Sequence, residues 1–407
     1  LLQDFPISCR DSIIILRYSS CRFLRIFAST GVHEPVSRDR RVYAGPDDED
    51  GLTMRTTMGE LALIERIRSG WGGGGISPRG SRDRRRNPGN PILGIGDDCA
   101  ILRVPKGHEL LVTTDFTLEG RHFRRDWHPP ESVGHRALAR GLSDLAAMGA
   151  LPLAAFLSLA LPGGTLGSRT GRRWVERFFA GLRGLAELHA VPLAGGDTAE
   201  SPSGLVLADI VLVGTAPAGR ALRRSGGRPG DALYVTGELG GAAAELAAME
   251  RRGAGKRPSV LAARAVRAND SSGAHPQLYP QPRVAVGLAL LRRRLATAAI
   301  DLSDGLSSDL AHLCHESGVG AELSLAALPI HPLALRAGAE QAIDFALNGG
   351  EDYELLFAAP SAVKMPRSVA GVRVTRIGRL VRGHAVSLVD SGGRRRPLPP
   401  RGWEHIV

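Results

Sequence analysis

From Pro91 onward, short apolar runs alternate with longer segments whose apolar residues recur every three or four positions. That is the pattern of strands interleaved with amphipathic helices. The run LLVTTD from Leu110 to Asp115 predicts a strand, and VGHRALARGLSDLAAMGA from Val133 a helix. LAAFLSLAL from Leu153 reads as a buried strand, RRWVERFFAGLRGLAELHA from Arg172 as a helix, and GLVLADIVLVGTA from Gly204 as a long strand. A connector, GRALRRSGGRPGD from Gly219, leads into the strand ALYVTG, and the Ala/Leu-rich GGAAAELAAME from Gly240 is a core-packing helix. PRVAVGLALLRRRL from Pro282 is helical, AAID from Ala298 a short strand, and SSDLAHLCHESG from Ser307 a helix. GAELSL from Gly320, YELLFAAP from Tyr353 and GVRVTRIGRL from Gly371 complete the strands. A boundary near Pro217 divides two α/β halves, mixed (α+β) rather than simply doubly wound.

The front of the chain differs. Residues 1–57 mix short apolar pieces with an acidic turn, PDDED, and show no sustained period. MGELALIERI opens an amphipathic helix, so the folded protein is expected to begin at Met54 or Met58, with residues 1–57 a disordered leader, translated upstream sequence or the product of a fragmentary gene model. A transit peptide is the alternative, against which Asp4 and Asp11 count. The expected domains are therefore 58–217 and 218–407, with a flexible Arg/Gly insert at 69–90. The glycine run in that insert leads into Pro78 and arginines instead of a helix N-terminus, which excludes a phosphate-cradling loop.

A chain of 407 residues that is 43% hydrophobic can bury two or three cores. No apolar run reaches the length of a membrane span, so a soluble protein without a membrane partner is expected. Cys9, Cys21, Cys99 and Cys314 lie far apart with no CxxC pair, which argues against a disulfide framework or a zinc site and fits a reducing, cytoplasmic setting. The net charge of +11 invites a nucleic-acid partner. However, Lys106, Lys256 and Lys364 are the only lysines, and the arginine runs lie in Gly/Pro-rich stretches without interleaved aromatics. They read as solvated loops, and no nucleic acid is expected to bind.

Acidic residues then stand out beside small ones: Asp97 and Asp98 in GIGDD, Asp115 in VTTDF, Asp144 in LSDLAAMGA and Asp197 in LAGGDT. Asp301 and Asp304 in IDLSDG, with Glu351 and Asp352 in GGEDYEL, complete the set. Read as turns at strand or helix ends, these positions would face a common crevice. Any single one is equally well an N-cap. Together, as hard oxygen ligands, they point to Mg²⁺ and bound phosphates. No GxxxxGK[ST] and no protein-kinase HRD or DFG set occurs, so phosphates would be neutralised by metal and arginine, with Arg224 in the Gly-flanked connector the best-placed cation. Asp97 and Asp98, inside the apolar run ILGIGDDCAIL, would be buried and need a charged partner.

The ordered set GIGDDCAIL, LLVTTDFTLEGRHF, LARGLSDLAAMGALP, LAGGDT, GRALRRSGGRPGDALYVTG, AIDLSDGLSSDL and NGGEDYELLF resembles the thiamine-monophosphate kinases from Met58 to the C-terminus. These belong to a superfamily of ATP-using enzymes with aminoimidazole ribonucleotide synthetase and selenophosphate synthetase. The resemblance implies a two-domain fold of that type, a homodimer whose N-terminal halves join sheets across the two-fold, and a C-terminal α/β half. It implies that Asp98, Thr113, Thr114, Asp115, Asp144 and Asp197 hold several Mg²⁺ ions, with Asp301 and Asp304 adding ligands. Gly196, Arg224 and Ser303 would contact ATP, and His122, Glu351 and Trp403 the substrate, with Asp115, Asp144 and Arg224 neutralising charge and no residue acting as general base. The implied reaction is phosphorylation of thiamine monophosphate to thiamine diphosphate, the last step in making that compound. Asp97 is expected to bond the turn's own amides, while Leu188 and His189 stand where relatives carry a tyrosine. Selenophosphate synthetase would need a cysteine or selenocysteine with a neighbouring lysine before GIGDD, and the hydrogenase-maturation relative a cysteine-bearing tail, but this chain ends WEHIV. A nucleotide-binding regulator without turnover would lack some of the metal aspartates, and none is missing.

Overall fold

The computed structural model describes residues 13–17, 60–70, 91–252 and 274–402. Trp403, most of the leader and residues 71–90 of the insert lie outside them. Helix α1 (Glu60–Gly70) buries Leu63 and Ile67. It runs through Ser69 and Gly70, so the segment read as an insert starts later than its composition suggests.

In the N-terminal half, β1 (Ile13–Arg17) pairs antiparallel with β2 (Cys99–Arg103). Strands β3 (His108–Leu118), β4 (Leu151–Pro162), β5 (Leu193–Ser201) and β6 (Leu207–Pro217) form a sheet in the order β3-β6-β4-β5. Only β4 and β5 run parallel, and the crossover that a parallel pair needs is helix α3 (Arg169–Leu188). Helix α2 (Pro130–Ala147) links β3 to β4 and carries Pro130 at its start, where a missing N–H costs nothing. Alternation along β3 turns Leu111 and Thr117 inward toward α2, while Val112 and Phe116 are 64% and 58% exposed on the opposite face.

The C-terminal half is built on β7 (Ala232–Thr236), β8 (Ala298–Asp301), β9 (Gly320–Ser324), β10 (Leu355–Ala359), β11 (Ser368–Val369), β12 (Val372–Val381), β13 (Val386–Val389) and β14 (Arg395–Pro397). Their order is β14-β13-β9-β12-β7-β10-β8, with β11 beside β12. The helices are α4 (Gly241–Arg252), α5 (Val284–Arg292), α6 (Leu306–Ser317), α7 (Pro332–Leu335) and α8 (Ala339–Asn348). The mixed α/β reading of both halves therefore holds. The pattern missed α7, α8, β11, β13 and β14, because such short or half-exposed elements show too few periods to register. Among the described residues no helix is long and apolar enough to cross a membrane.

One apolar cluster runs from Leu63 and Phe178 through Leu138, Leu142 and Leu212 to Val284, Leu290 and Phe357, so it crosses from one half into the other. Helix α2 lies in its middle and is buried along most of its length. Its approach to α3 is set by glycines: a Cβ on Gly134 would stand 1.9 Å from the Phe178 carbonyl oxygen, and one on Gly181 1.9 Å from that of Glu131. Helices brought so close leave no room for a side chain at the crossing. Gly181→Ala is expected to destabilise the chain by about 1–3 kcal/mol. Gly184→Ala, on the same helix with nothing within 4 Å of the added carbon, should instead be neutral or stabilising by about 0.5–1 kcal/mol. Urea unfolding midpoints of the two variants compare them directly.

Candidate active site

Buried α2 carries polar side chains at Arg136, Arg140, Ser143 and Asp144. A spacing of four, seven and eight residues puts all of them on one helical face. That face reaches both the sheet and the C-terminal half. Arg136, 1% exposed, donates to the Glu351 carboxylate at 2.7 Å, to the His122 carbonyl at 2.9 Å and to the Gln277 carbonyl. Arg140, one turn on, meets Asp115 at 2.8 Å and Glu351 at 3.2 Å, and donates to the Tyr353 hydroxyl at 3.1 Å. Ser143 donates to Asp301 at 2.7 Å, and Thr113 on β3 donates to Asp144.

The GGEDYEL segment is held residue by residue. Glu351 and Tyr353 adopt φ of 67° and 49°, a region that costs a non-glycine residue of order 1–3 kcal/mol and persists only when its surroundings fix it. Those surroundings are explicit. Gln277 Nε2 donates to the second oxygen of Glu351 at 2.9 Å. Asp352 accepts from the amides of Gly240 at 2.7 Å and Ala242 at 3.2 Å, so it caps α4. Glu354 accepts from Arg283 Nε at 2.7 Å and from the Thr236 hydroxyl.

The carboxylates divide electrostatically. Burial alone would raise Glu351, but the charges and hydrogen bonds of Arg136 and Arg140, with Gln277, hold it down at about 2. Asp115 shares Arg140 but has no second arginine; burial dominates and raises it. Burial also raises Asp144, and it pushes Asp301 up to about 7, helped by the charge of Asp144. Arg224, exposed on the connector, acts on both through its charge. Asp309, buried in the first turn of α6, accepts from the amides of Asp304 at 3.2 Å and Gly305 at 3.0 Å and so fixes the turn that carries Asp304.

Of the positions singled out in the sequence, Thr113, Asp115, the His122 carbonyl, Asp301 and Glu351 meet this face, and others sit elsewhere. Asp97 and Asp98 are exposed, not buried, because GIGDD turns out of the sheet before β2 begins, and Asp97 accepts from the Asp98 amide at 2.8 Å. Asp115 and Asp197 lie within strands, not in turns; LAGGDT pairs in parallel with β4, although its small residues give it no strand-like alternation. Gly196 there has φ of 150°, and a Cβ would meet the Leu157 carbonyl oxygen at 1.9 Å. Beside it, Gly94, Gly96, Phe156, Ser158 and Asp197 line a cavity of about 500 Å³. Thr113 and Thr114 point to opposite faces of β3, and Thr114 donates to Asp209 at 2.8 Å on the outer one. His122 Nδ1 accepts from the Leu118 amide at 3.0 Å, and the Ser303 carbonyl accepts from the Glu351 amide at 2.8 Å. Among the described residues no three His, Cys, Asp or Glu side chains converge on one point as a metal cage would.

Sequence reasoning missed Arg136, Arg140, Ser143, Asp209, Gln277 and Tyr353. For the first three a signal existed: polar residues at helical spacing on an otherwise apolar helix. Asp301 offers a check on the electrostatics. Its carboxyl titrates near 7, above the ordinary value of 3.8, so its charge opposes folding most above about pH 7, and the cost falls away toward pH 4. Asp301→Asn should therefore raise the thermal midpoint of the metal-free protein more near pH 8 than near pH 5; equal shifts would contradict the assignment.

Known proteins resemble this chain along most of its length. Residues 96–216 match the family model described as AIR synthase related protein, N-terminal domain, and residues 228–391 its C-terminal counterpart. The thiamine-monophosphate kinase of Escherichia coli K12 is 40% identical over 77% of this chain and 92% of its own length. The crystal structure of the Stenotrophomonas maltophilia K279a enzyme of that name superposes with a TM-score of 0.65 at 35% identity, covering 81% of this chain and 96% of that one. A structure of AaThiL complexed with AMPPCP and TMP, 29% identical, gives a TM-score of 0.62 over 88% of this chain and all of that one. At 40% identity to a relative matched over 92% of its length, with both family domains in place, the chain belongs to the thiamine-monophosphate kinase family.

Proposed function

We propose that this chain transfers the γ-phosphoryl group of ATP to the phosphate of thiamine monophosphate, giving thiamine diphosphate and ADP. The observation that carries the reading is the α2 face. It brings together raised, closely spaced carboxylates at Asp144 and Asp301 and an arginine-clamped Glu351, in a chain related to these kinases along most of its length.

The chemistry asks for little more than placement. A phosphate monoester oxygen is already anionic at neutral pH, so no strong general base is needed. The barrier is in aligning two polyanions, so positioning and charge neutralisation do most to lower it. Asp115, Asp144 and Arg224 serve as the charge-managing groups, and Gly196, Arg224 and Ser303 contact the nucleotide. The cavity beside Gly196 lies within the usual size range of small-molecule pockets, about 300–1,000 Å³, and its glycines let backbone approach a phosphate. His122, Glu351 and Trp403 take the acceptor.

The donor set suits Mg²⁺. Burial raises both Asp144 and Asp301, the charge of Asp115 raises Asp144 further and that of Asp144 raises Asp301, and such a situation is relieved by a cation. Asp98, Asp115, Asp144, Asp197, Asp301 and Asp304, with the Thr113 and Thr114 oxygens, are the groups that would hold it. When bound, Mg²⁺ would screen and bridge phosphate oxygens. Because no three described carboxylates converge, phosphate and water oxygens would fill the remaining positions, as is usual for this ion.

The outer face of β3 supports a homodimer. Val112 and Phe116 are more than half exposed on the outer face of β3, with Thr114 between them, and apolar side chains gathered on one exposed face mark a contact surface. Sedimentation should give a dimer for the wild type and a monomer for Phe116→Asp.

For the reaction itself, purified protein with ATP and Mg²⁺ should convert thiamine monophosphate, but not thiamine, to the diphosphate, scored by chromatography. Asp144→Asn should lower kcat by about 10²-fold or more. Binding of Mg·ATP without turnover of the monophosphate would overturn the reading.

A further inference from the structure

Arg140 stands between the two groups of residues that the proposed reaction must bring together, and none of the family motifs assigns it a role. One guanidinium nitrogen meets Asp115 on β3 of the N-terminal half at 2.8 Å. The other meets Glu351 at 3.2 Å and the Tyr353 hydroxyl at 3.1 Å, both in the C-terminal half. The side chain is only 11% exposed, so these contacts operate with little screening by water. Among the described residues its buried Nε–H has no hydrogen-bond partner, so the orientation of the fork rests on its two terminal nitrogens. Asp115 belongs to the nucleotide and charge-neutralising side of the reading above, and Glu351 to the acceptor side.

We propose that Arg140 is a positioning residue that couples the two binding events. A planar fork held at both ends cannot turn toward one partner without leaving the other. Fixing Asp115 by a bound nucleotide therefore fixes the guanidinium, and through it the Glu351 and Tyr353 backbone that sits at φ of 67° and 49°. An acceptor arriving second finds its carboxylate already oriented, and the ordering cost has been met by the first ligand. Reciprocity requires the acceptor to help the nucleotide by the same factor. Arg136 cannot do this alone: it holds Glu351 from the same helix but makes no contact with Asp115, and its other partners are the carbonyls of His122 and Gln277.

The inference rests on the proposed kinase reaction, and the test separates the two. The probe is titration calorimetry of the full chain with a non-hydrolysable ATP analogue and Mg²⁺, with and without saturating thiamine monophosphate. The wild type should bind the analogue at least about fivefold more tightly when the monophosphate is present, the lower end of typical coupling. Arg140→Lys keeps the charge but loses the fork, and Arg140→Met loses both. In each, the ratio should fall to within about twofold of unity, while the analogue alone still binds. A merely structural role would weaken both affinities and leave their ratio intact. Wild-type coupling that persists in Arg140→Lys overturns the inference and leaves the kinase reading standing. A wild type that binds the analogue but not the monophosphate overturns both.

Discussion

A guanidinium keeps its charge under all conditions in a protein, so burying one commits the fold to supplying acceptors around it. Arg136, nearly inaccessible, and Arg140 one turn later impose that demand on the middle of the molecule. They meet most of it by drawing on β3, the segment before α2, the Gln277 carbonyl and the GGEDYEL segment at once. The two halves are thereby fixed against each other at the same place where the reacting groups must meet. The close helix crossing at Gly134 and Gly181 serves the same end, because it sets how far α2 stands from α3 and hence where its polar face points.

From that face the carboxylates acquire two opposite characters. Glu351, with two arginines and a glutamine, is ionised throughout the ordinary pH range, a fixed anion of known orientation. Asp144 and Asp301 have hydroxyl partners from Thr113 and Ser143 but no arginine in contact, and burial leaves them wanting a cation. A structural ion pair and a pair of groups prepared for charge thus meet one face of α2 about two turns apart. Phosphoryl transfer between two phosphates calls for such a division, with one region holding the acceptor and the other absorbing the charge of the transferring group.

Much of this was legible in the sequence. The apolar periods of α2, α3 and α6 and the long strands β3, β4 and β6 stand out, and so do the clustered aspartates, because both are local signals. Asp97 and Asp98 show the limit: the apolar run around them suggests burial, yet the turn carries them outward, and only the tertiary path decides that. Asp197 shows another, since two glycines look like a turn until β4 pairs alongside. Arg136 and Arg140 were visible as residues but not as a clamp. Their partners at Gln277, Glu351 and Tyr353 lie more than 130 positions away, and no periodicity along the chain reports so distant a contact.

In the proposed reaction one phosphoryl group passes from ATP to a phosphate already on the acceptor. The most direct measurement of that transfer is phosphorus NMR of the products formed from ATP labelled with ¹⁸O in its γ-phosphoryl group. The isotope shift is expected on the terminal phosphorus of thiamine diphosphate, with unlabelled ADP formed one for one. Label found in inorganic phosphate beside unchanged thiamine monophosphate, or AMP as the nucleotide product, would contradict it.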